Sequence, residues 1–262
     1  MSFTVERVRH ELKFRIAEVV SNERLTPRMA RITLRHPDFA AFPSAAFDDH
    51  VKLFFPRPGT ALVMPERGPN GLIWPEGVER PEGRDYTPRS FSHARAEVVI
   101  DFVLHGDGPA SSWAEVARPG YTLGIGGPRG SFVVKGDFDF YLLAGDETAL
   151  PAIGRRIEEL PAGPKIIAFI EIADPAERQS FDAKADLELH WLERSTGASL
   201  LDAVTSATLP SGAGYAFIAG ESAVSSAIRE HLVTDRGLDP DCIKAAGYWR
   251  QGEADHYDGH SH

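Results

Sequence analysis

Cysteine is nearly missing from this chain: Cys242 is the single one among 262 residues. No internal disulfide can form, and no iron–sulfur cluster can be held through four thiolates of the chain itself. A reducing compartment fits. Basic charge is also in short supply, with 28 Lys and Arg against 38 Asp and Glu and a formal net charge of −10. That balance argues against the broad positive surface of a nucleic-acid binder, and it requires any anionic ligand to find a local basic pocket. Long apolar runs are absent as well. No stretch approaches the roughly 20 residues of a membrane span, and the N-terminal MSFTVERVRHELKFRIAEVV interrupts every apolar run with charge, so it lacks the hydrophobic centre of a signal peptide. The expectation is a cytoplasmic protein.

What is present is ordinary globular material, 42% hydrophobic and 25% charged, in a chain long enough for two domains with a core each. Up to about Val134 the segments LKFRIAEVV, MARITLRH, HVKLFFP, EVVIDFVLHG and SFVV alternate like strands between turn-rich pieces, which predicts an antiparallel barrel or sandwich. After KGDFD the texture changes. The buried run FYLLAG leads into a segment where Leu150, Ile153, Ile157 and Leu160 share one helical face, followed by KIIAFIEIAD, then YAFIAG and a helix from Ser222 to Val233 with Gly237 as its stop. Alternating strands and helices predict a parallel sheet. The boundary falls near Lys135 to Asp139, giving domains 1–136 and 137–262. No internal repeat is found, and the Pro- and Gly-rich loop from Pro56 to Arg84 is long for a plain connection.

That loop ends in RDYTPRSF, Arg84 to Phe91. On a strand, Arg84 and Tyr86 share a face while Thr87 points to the other, and Pro88 marks an edge or strand end. A guanidinium can pair with phosphate, a phenol can stack on a flat ring system, and a hydroxyl can donate to a ring nitrogen. The set suits a flavin nucleotide; the alternative is a surface edge strand with solvated arginines. Fifteen residues on, HGDGPASSWAEV ends a strand at His105 and opens a short helix at GPAS, with Trp113, Val116 and Ala117 as its inward residues. A helix N-terminus beside Ser111 suits a pyrophosphate, although a glycine turn before a helix is also common structure.

Taken in order, RDYTPRSF, VVIDFVLHGDGPASSWA, GPRGSF, YLLAGDETALPAI, AGES and GYWRQG resemble the siderophore-interacting protein family, the FAD-dependent ferric-siderophore reductases of the ferredoxin reductase superfamily. The match runs from about Leu12 to Gly252. The resemblance implies an antiparallel FAD-binding β-barrel followed by a parallel-sheet α/β domain for a nicotinamide nucleotide. It places Arg84, Tyr86, Thr87 and Arg89 in the flavin motif, and His105, Gly108, Pro109, Ala110 and Ser111 in a second flavin segment. It assigns the turn Gly145, Asp146, Glu147 and Thr148 to the nicotinamide nucleotide, with Gly220 and Glu221 toward its nicotinamide end. That first turn lacks the three-glycine dinucleotide fingerprint, and Asp146, Glu147 or Thr148 serves equally as a helix cap. Trp249 packs near the flavin or belongs to the core.

NADPH is the expected donor on family grounds, with NADH possible, since EIADPAERQS offers Glu171, Asp174 and Arg178 together. The implied reaction converts hydride, an electron pair, into single electrons for Fe(III), and Fe(II) is held less tightly by hard oxygen chelators. Lys52 and Arg250 are the candidates for binding an anionic ferric siderophore, with Lys244 and Arg129 behind them; each is also readable as a solvated surface charge. No metal ligand of the protein is required, and His50, His93, His190 and His231 lack metal-ligand spacing. His256, His260 and His262 belong to an acidic tail expected to be disordered. Other acceptors, or a flavin- or siderophore-binding protein without turnover, stay open, although a pure binder has no need of a hydride donor. A monomer is expected, and the siderophore class is open.

Overall fold

In the computed structural model residues 3–57, 59–69, 71–106 and 108–252 are described; His256, His260 and His262 lie outside them. The chain divides into two compact units, Thr4–Lys135 and the residues from Gly136 onward together with Phe3. The first carries β1 (Thr4–Arg9), β2 (Phe14–Thr26), β3 (Met29–Arg35), β4 (Val51–Phe55), the short hairpin of β5 (Glu66–Gly68) and β6 (Gly71–Ile73), β7 (Glu82–Tyr86), β8 (Pro88–Ser92), β9 (Glu97–Val103), α1 (Pro109–Val116), β10 (Thr122–Gly126) and β11 (Gly130–Lys135).

Seven of these strands form one antiparallel sheet in the order β7-β4-β10-β2-β3-β9-β8. The two edge strands, β7 and β8, are consecutive in sequence, with Thr87 alone between them. Laid flat, six strand spacings would separate the edges by about 29 Å, whereas two residues of chain reach about 7 Å. The sheet must therefore roll until its edges meet, and Thr87 is the seam of a barrel. Alternation supplies the filling. Ala17 and Val19 from β2, Ile32 and Leu34 from β3, Leu53 and Phe55 from β4, and Ile100 and Phe102 from β9 point inward into one apolar cluster. Helix α1 closes this core with Ala110, Trp113, Ala114 and Ala117. Val116, expected to face inward, is 62% exposed; at 100° per residue it falls outside the stripe made by 110, 114 and 117. The segment between β4 and β7 lies over the outer face of the barrel: Trp74 packs 5.8 Å from Phe54, and a Cβ on Gly124 would run into Met64.

The second unit carries β12 (Phe140–Gly145), α2 (Leu150–Glu159), β13 (Lys165–Ile172), β14 (Asp186–Glu193), α3 (Leu200–Ser206), β15 (Gly214–Glu221), α4 (Ser222–Thr234) and β16 (Ile243–Trp249). Its five strands are all parallel, in the order β14-β13-β12-β15-β16. Every residue of β12 is buried, as a central strand covered on both faces requires. Leu150, Ile153, Ile157 and Leu160 are buried along α2, and Gly237 stands in the left-handed region at φ +68 just beyond α4, as their spacing and position predict. Strand order reverses between β12 and β15. The carboxyl ends of those strands, Gly145 and Glu221, therefore border the crevice where open α/β sheets take ligands.

Candidate functional site

At the barrel seam, Tyr86 ends β7 and sits opposite Val51 of β4. Its half-buried ring lies 4.7 Å from Phe102 and 6.4 Å from Phe55, and the Trp113 ring is 5.8 and 5.9 Å from the same two. Four rings thus join Tyr86 of the RDYTPRSF stretch to Trp113 of α1, 27 residues further along the chain. Burial pushes the Tyr86 phenol well above its usual range, so it remains a neutral donor at working pH. Thr87 is buried. Arg84, two residues before Tyr86 on the edge strand, donates to the Gly83 carbonyl at 2.9 Å and pairs with Glu82 at 3.2 Å. Arg89 is buried at the irregularity where β8 departs from regular pairing with β9, 3.9 Å from Asp101. Asp101 is in turn held bidentately by Arg31 at 2.7 and 2.8 Å. Arg89 is therefore placed in an ion-pair cluster of the barrel wall.

Helix α1 begins at Gly108 with Pro109 at its first position and no side-chain cap, so among the described residues no side chain claims its first amides. Ala110 and Ser111 are buried, and the Ser111 hydroxyl accepts from the His105 amide at 3.1 Å while the His105 side chain is exposed. The buried Trp113 indole N–H meets no acceptor among the described residues. These groups fit a flavin nucleotide: an uncapped helix start for its phosphates, an aromatic platform, buried hydroxyls and an unclaimed donor.

In the parallel sheet the crevice is built from strand ends. Gly145 closes β12 where a Cβ would lie 2.5 Å from both the Ala149 Cβ and the Ala219 carbonyl oxygen. Asp146 follows, buried, and takes Thr148 N at 2.8 Å and Thr148 Oγ1 at 2.5 Å on one oxygen and the Trp249 indole N–H at 2.7 Å on the other. Burial raises its pKa above the ordinary aspartate value against the pull of those donors. Gly220, at φ +143 one residue before the end of β15, stands where a side chain would strike the Asp146 carboxylate. Glu147 accepts from the Ala173 amide at 2.6 Å and from Arg194, whose other arm holds Glu171 at 3.0 Å. Neither Asp146, Glu147 nor Thr148 caps α2. Its N-cap is Ala149, which makes no side-chain cap bond, while Asp146 accepts from Thr148 and Trp249 and Glu147 accepts from the Ala173 amide. Glu221 is drawn the other way and caps α4 by accepting from Val224 N at 3.0 Å.

The remaining candidates are distributed. Lys52, on β4 in the first unit, is paired with Asp85 at 3.0 Å, and Arg129 is exposed in the same unit. Arg250, just past β16, is exposed, and Lys244 is half-buried on that strand. Asp174 caps its own short turn and Arg178 pairs with Glu193 at 2.7 Å. His93 contacts the Phe42 carbonyl, His190 Glu188, and His231 Asp235. Cys242 is a buried free thiol pushed upward by its burial. Two functional-site features escaped sequence reasoning. Asp101 carries no motif of its own, and Arg194 was invisible because β14 was not anticipated; the end of a third parallel strand would otherwise have pointed to it.

Comparison with known proteins agrees with this architecture. Residues 18–132 match the siderophore-interacting FAD-binding domain and residues 138–252 match the siderophore-interacting protein model. The NADPH-dependent ferric-chelate reductase of Escherichia coli is 36% identical over 93% of this chain and 96% of its own length. The ferric vibriobactin reductase ViuB of Vibrio cholerae is 33% identical over 97% and 94%. A siderophore utilization protein from T. fusca, solved crystallographically, superimposes with a TM-score of 0.88 at 40% identity, covering 99% of this chain and all of the other. No helix among the described residues is long and apolar enough to cross a membrane. The chain belongs to the siderophore-interacting protein family.

Proposed function

We propose that this protein is an FAD-dependent NADPH:ferric-siderophore oxidoreductase that releases iron as Fe(II) for assimilation. The observation that carries it is the presence in one chain of both sites: a barrel seam with the donor set of a flavin site, and a parallel sheet with a crevice for a dinucleotide. FAD, when bound, accepts hydride from a nicotinamide and passes electrons on singly.

The chain's own residues supply placement and charge. Tyr86 offers the face of a ring anchored by Phe55 and Phe102, and Thr87 offers a hydroxyl at the seam beside it. Arg84 and the uncapped start of α1, Gly108 to Ser111, hold phosphates, with His105 at the strand end before them. Arg89 holds the seam through Asp101. In the second unit Gly145 to Thr148, Gly220, Glu221 and Trp249 frame the nucleotide. Arg178 and Arg194 are the cations for the 2′-phosphate that distinguishes NADPH. Lys52 and Arg250 attract an anionic chelate on an otherwise acidic protein, and Lys52 does so only as its pairing with Asp85 loosens. Reduction needs no general base, and the softer, less charged Fe(II) leaves hard oxygen donors more readily than Fe(III). The protein works as a cytoplasmic monomer, in keeping with its single buried cysteine.

Anaerobic titration tests this. Adding NADPH to the FAD-loaded protein should bleach the flavin bands, and a ferric siderophore should then restore them while an Fe(II)-trapping dye develops. Bleaching without Fe(II) would move the protein to another acceptor; failure to load FAD would overturn the reading.

A further inference from the structure

The bond between Trp249 and Asp146 spans an unusual path. In the sheet order β12-β15-β16, Asp146 follows the first strand and Trp249 ends the third, so their 2.7 Å hydrogen bond passes over the end of β15. Two strand spacings, about 10 Å, are bridged by one indole and one carboxylate. The crossing is open because Gly220 has no side chain there: a Cβ would stand 2.7 Å from Asp146 Oδ2, and at φ +143 other residues are strained. Trp249 is also fixed from behind, its carbonyl accepting from Ser222 Oγ at 3.2 Å.

This bond is an expensive way to fasten a strand end. A buried carboxylate costs free energy that apolar packing of the same volume would not, and burial raises the Asp146 pKa accordingly. Meanwhile the ring that it holds is 39% exposed and contributes little to the core. The bond fixes where the ring is, with its N–H edge turned to Asp146 at the end of β12, the strand whose carboxyl end borders the switch-point crevice.

We propose that Asp146 is a positioning residue for the nicotinamide half of NADPH, acting through Trp249, whose indole it holds across the end of β15 as a flat apolar wall of the crevice. The inference rests on the assignment of that crevice to NADPH. Asp146 would read the dinucleotide indirectly, so its effect should fall on the nicotinamide half and spare the adenylate half, whose 2′-phosphate would be met by Arg178 and Arg194 beside the β13 and β14 strand ends.

The test compares two probes by calorimetry on the FAD-loaded protein: NADP+, and adenosine 2′,5′-bisphosphate, which lacks the nicotinamide half. Asp146→Asn and Trp249→Phe should each weaken NADP+ about tenfold, the scale of one hydrogen bond to a charged group. Each should leave adenosine 2′,5′-bisphosphate within about twofold, and the double variant should lose no more than either single one. Because Trp249→Phe keeps a ring without the N–H, it separates positioning from bulk, and near-ultraviolet circular dichroism of Asp146→Asn should show the indole band altered. NADP+ binding unchanged in Asp146→Asn, or a parallel loss of both probes, overturns the inference while leaving the NADPH assignment intact. A parent protein that binds neither probe overturns that assignment and the inference with it.

Discussion

The two sites arise from opposite operations on a sheet. In the first unit the site exists because two edges converge, β7 and β8 meeting at Thr87. In the second it exists because two chain paths diverge, leaving the ends of β12 and β15 bare. Convergence puts side chains into the core, so the seam is held by rings and by arginine–carboxylate pairs in the wall. Divergence leaves backbone to be tied, so the crevice is held by carboxylates, Asp146 and Glu147, that accept from their own turn and from the ends of other strands. Apolar contact governs one site and hydrogen-bond satisfaction the other.

The largest test of this contrast removes the shared ring of the seam. Phe102→Ala, at a fully buried site touching Tyr86, Phe55 and Trp113, should cost about 3–5 kcal/mol and abolish flavin retention. Thermal melts should show the first unit unfolding early while nucleotide binding by the second survives. Arg194→Ala should give the converse, leaving buried Glu147 with the Ala173 amide alone. Since Arg194 is half-exposed, about 1–2 kcal/mol is expected, read as a lower melting temperature of the second unit with flavin fluorescence unchanged.

The smallest effect concerns pH. Burial raises Asp49 in the barrel and Asp146 in the crevice above the ordinary aspartate value of 3.8. Each binds its proton more tightly folded than unfolded, so each lowers stability as pH rises from that value to the folded one, and then no further. Glu97, held below its ordinary 4.5 by Arg95 and Arg35, acts in the opposite sense, and its stabilisation is lost as pH falls through the folded value. In Asp49→Asn the amide oxygen can still accept from Ser131, Ser44 and Ala46. Denaturant titrations across pH should show that decline removed for the first unit and kept for the second.

Much of this was legible in advance wherever burial is one-sided or complete. The alternation in MARITLRH and the run FYLLAG mark β3 and β12 because one has a wet face and the other none. Strand β14 went unread: it is a sheet edge with every position exposed or half-buried, so no hydrophobic period dominates. The seven-residue α3 is too short to carry a period at all. RDYTPRSF announced its donors but not their partners, since Arg89 meets Asp101 only through strand pairing between β8 and β9. Glu221 likewise gave no sign that its carboxylate would be taken up by the start of α4.

Closure at a single residue also sets where this chain tolerates change in length. The segment between β4 and β7 joins neighbouring strands from outside the barrel, and each doubling of such a loop costs only about 0.6 kcal/mol. One residue added beside Thr87 would instead offset β7 against β8 and reverse which side chains face inward along one edge. Insertions and deletions in natural or engineered relatives should therefore gather between Pro56 and Pro81 and avoid the seam, which makes the former the place to graft a reporter peptide and the latter a fixed ruler for aligning distant sequences.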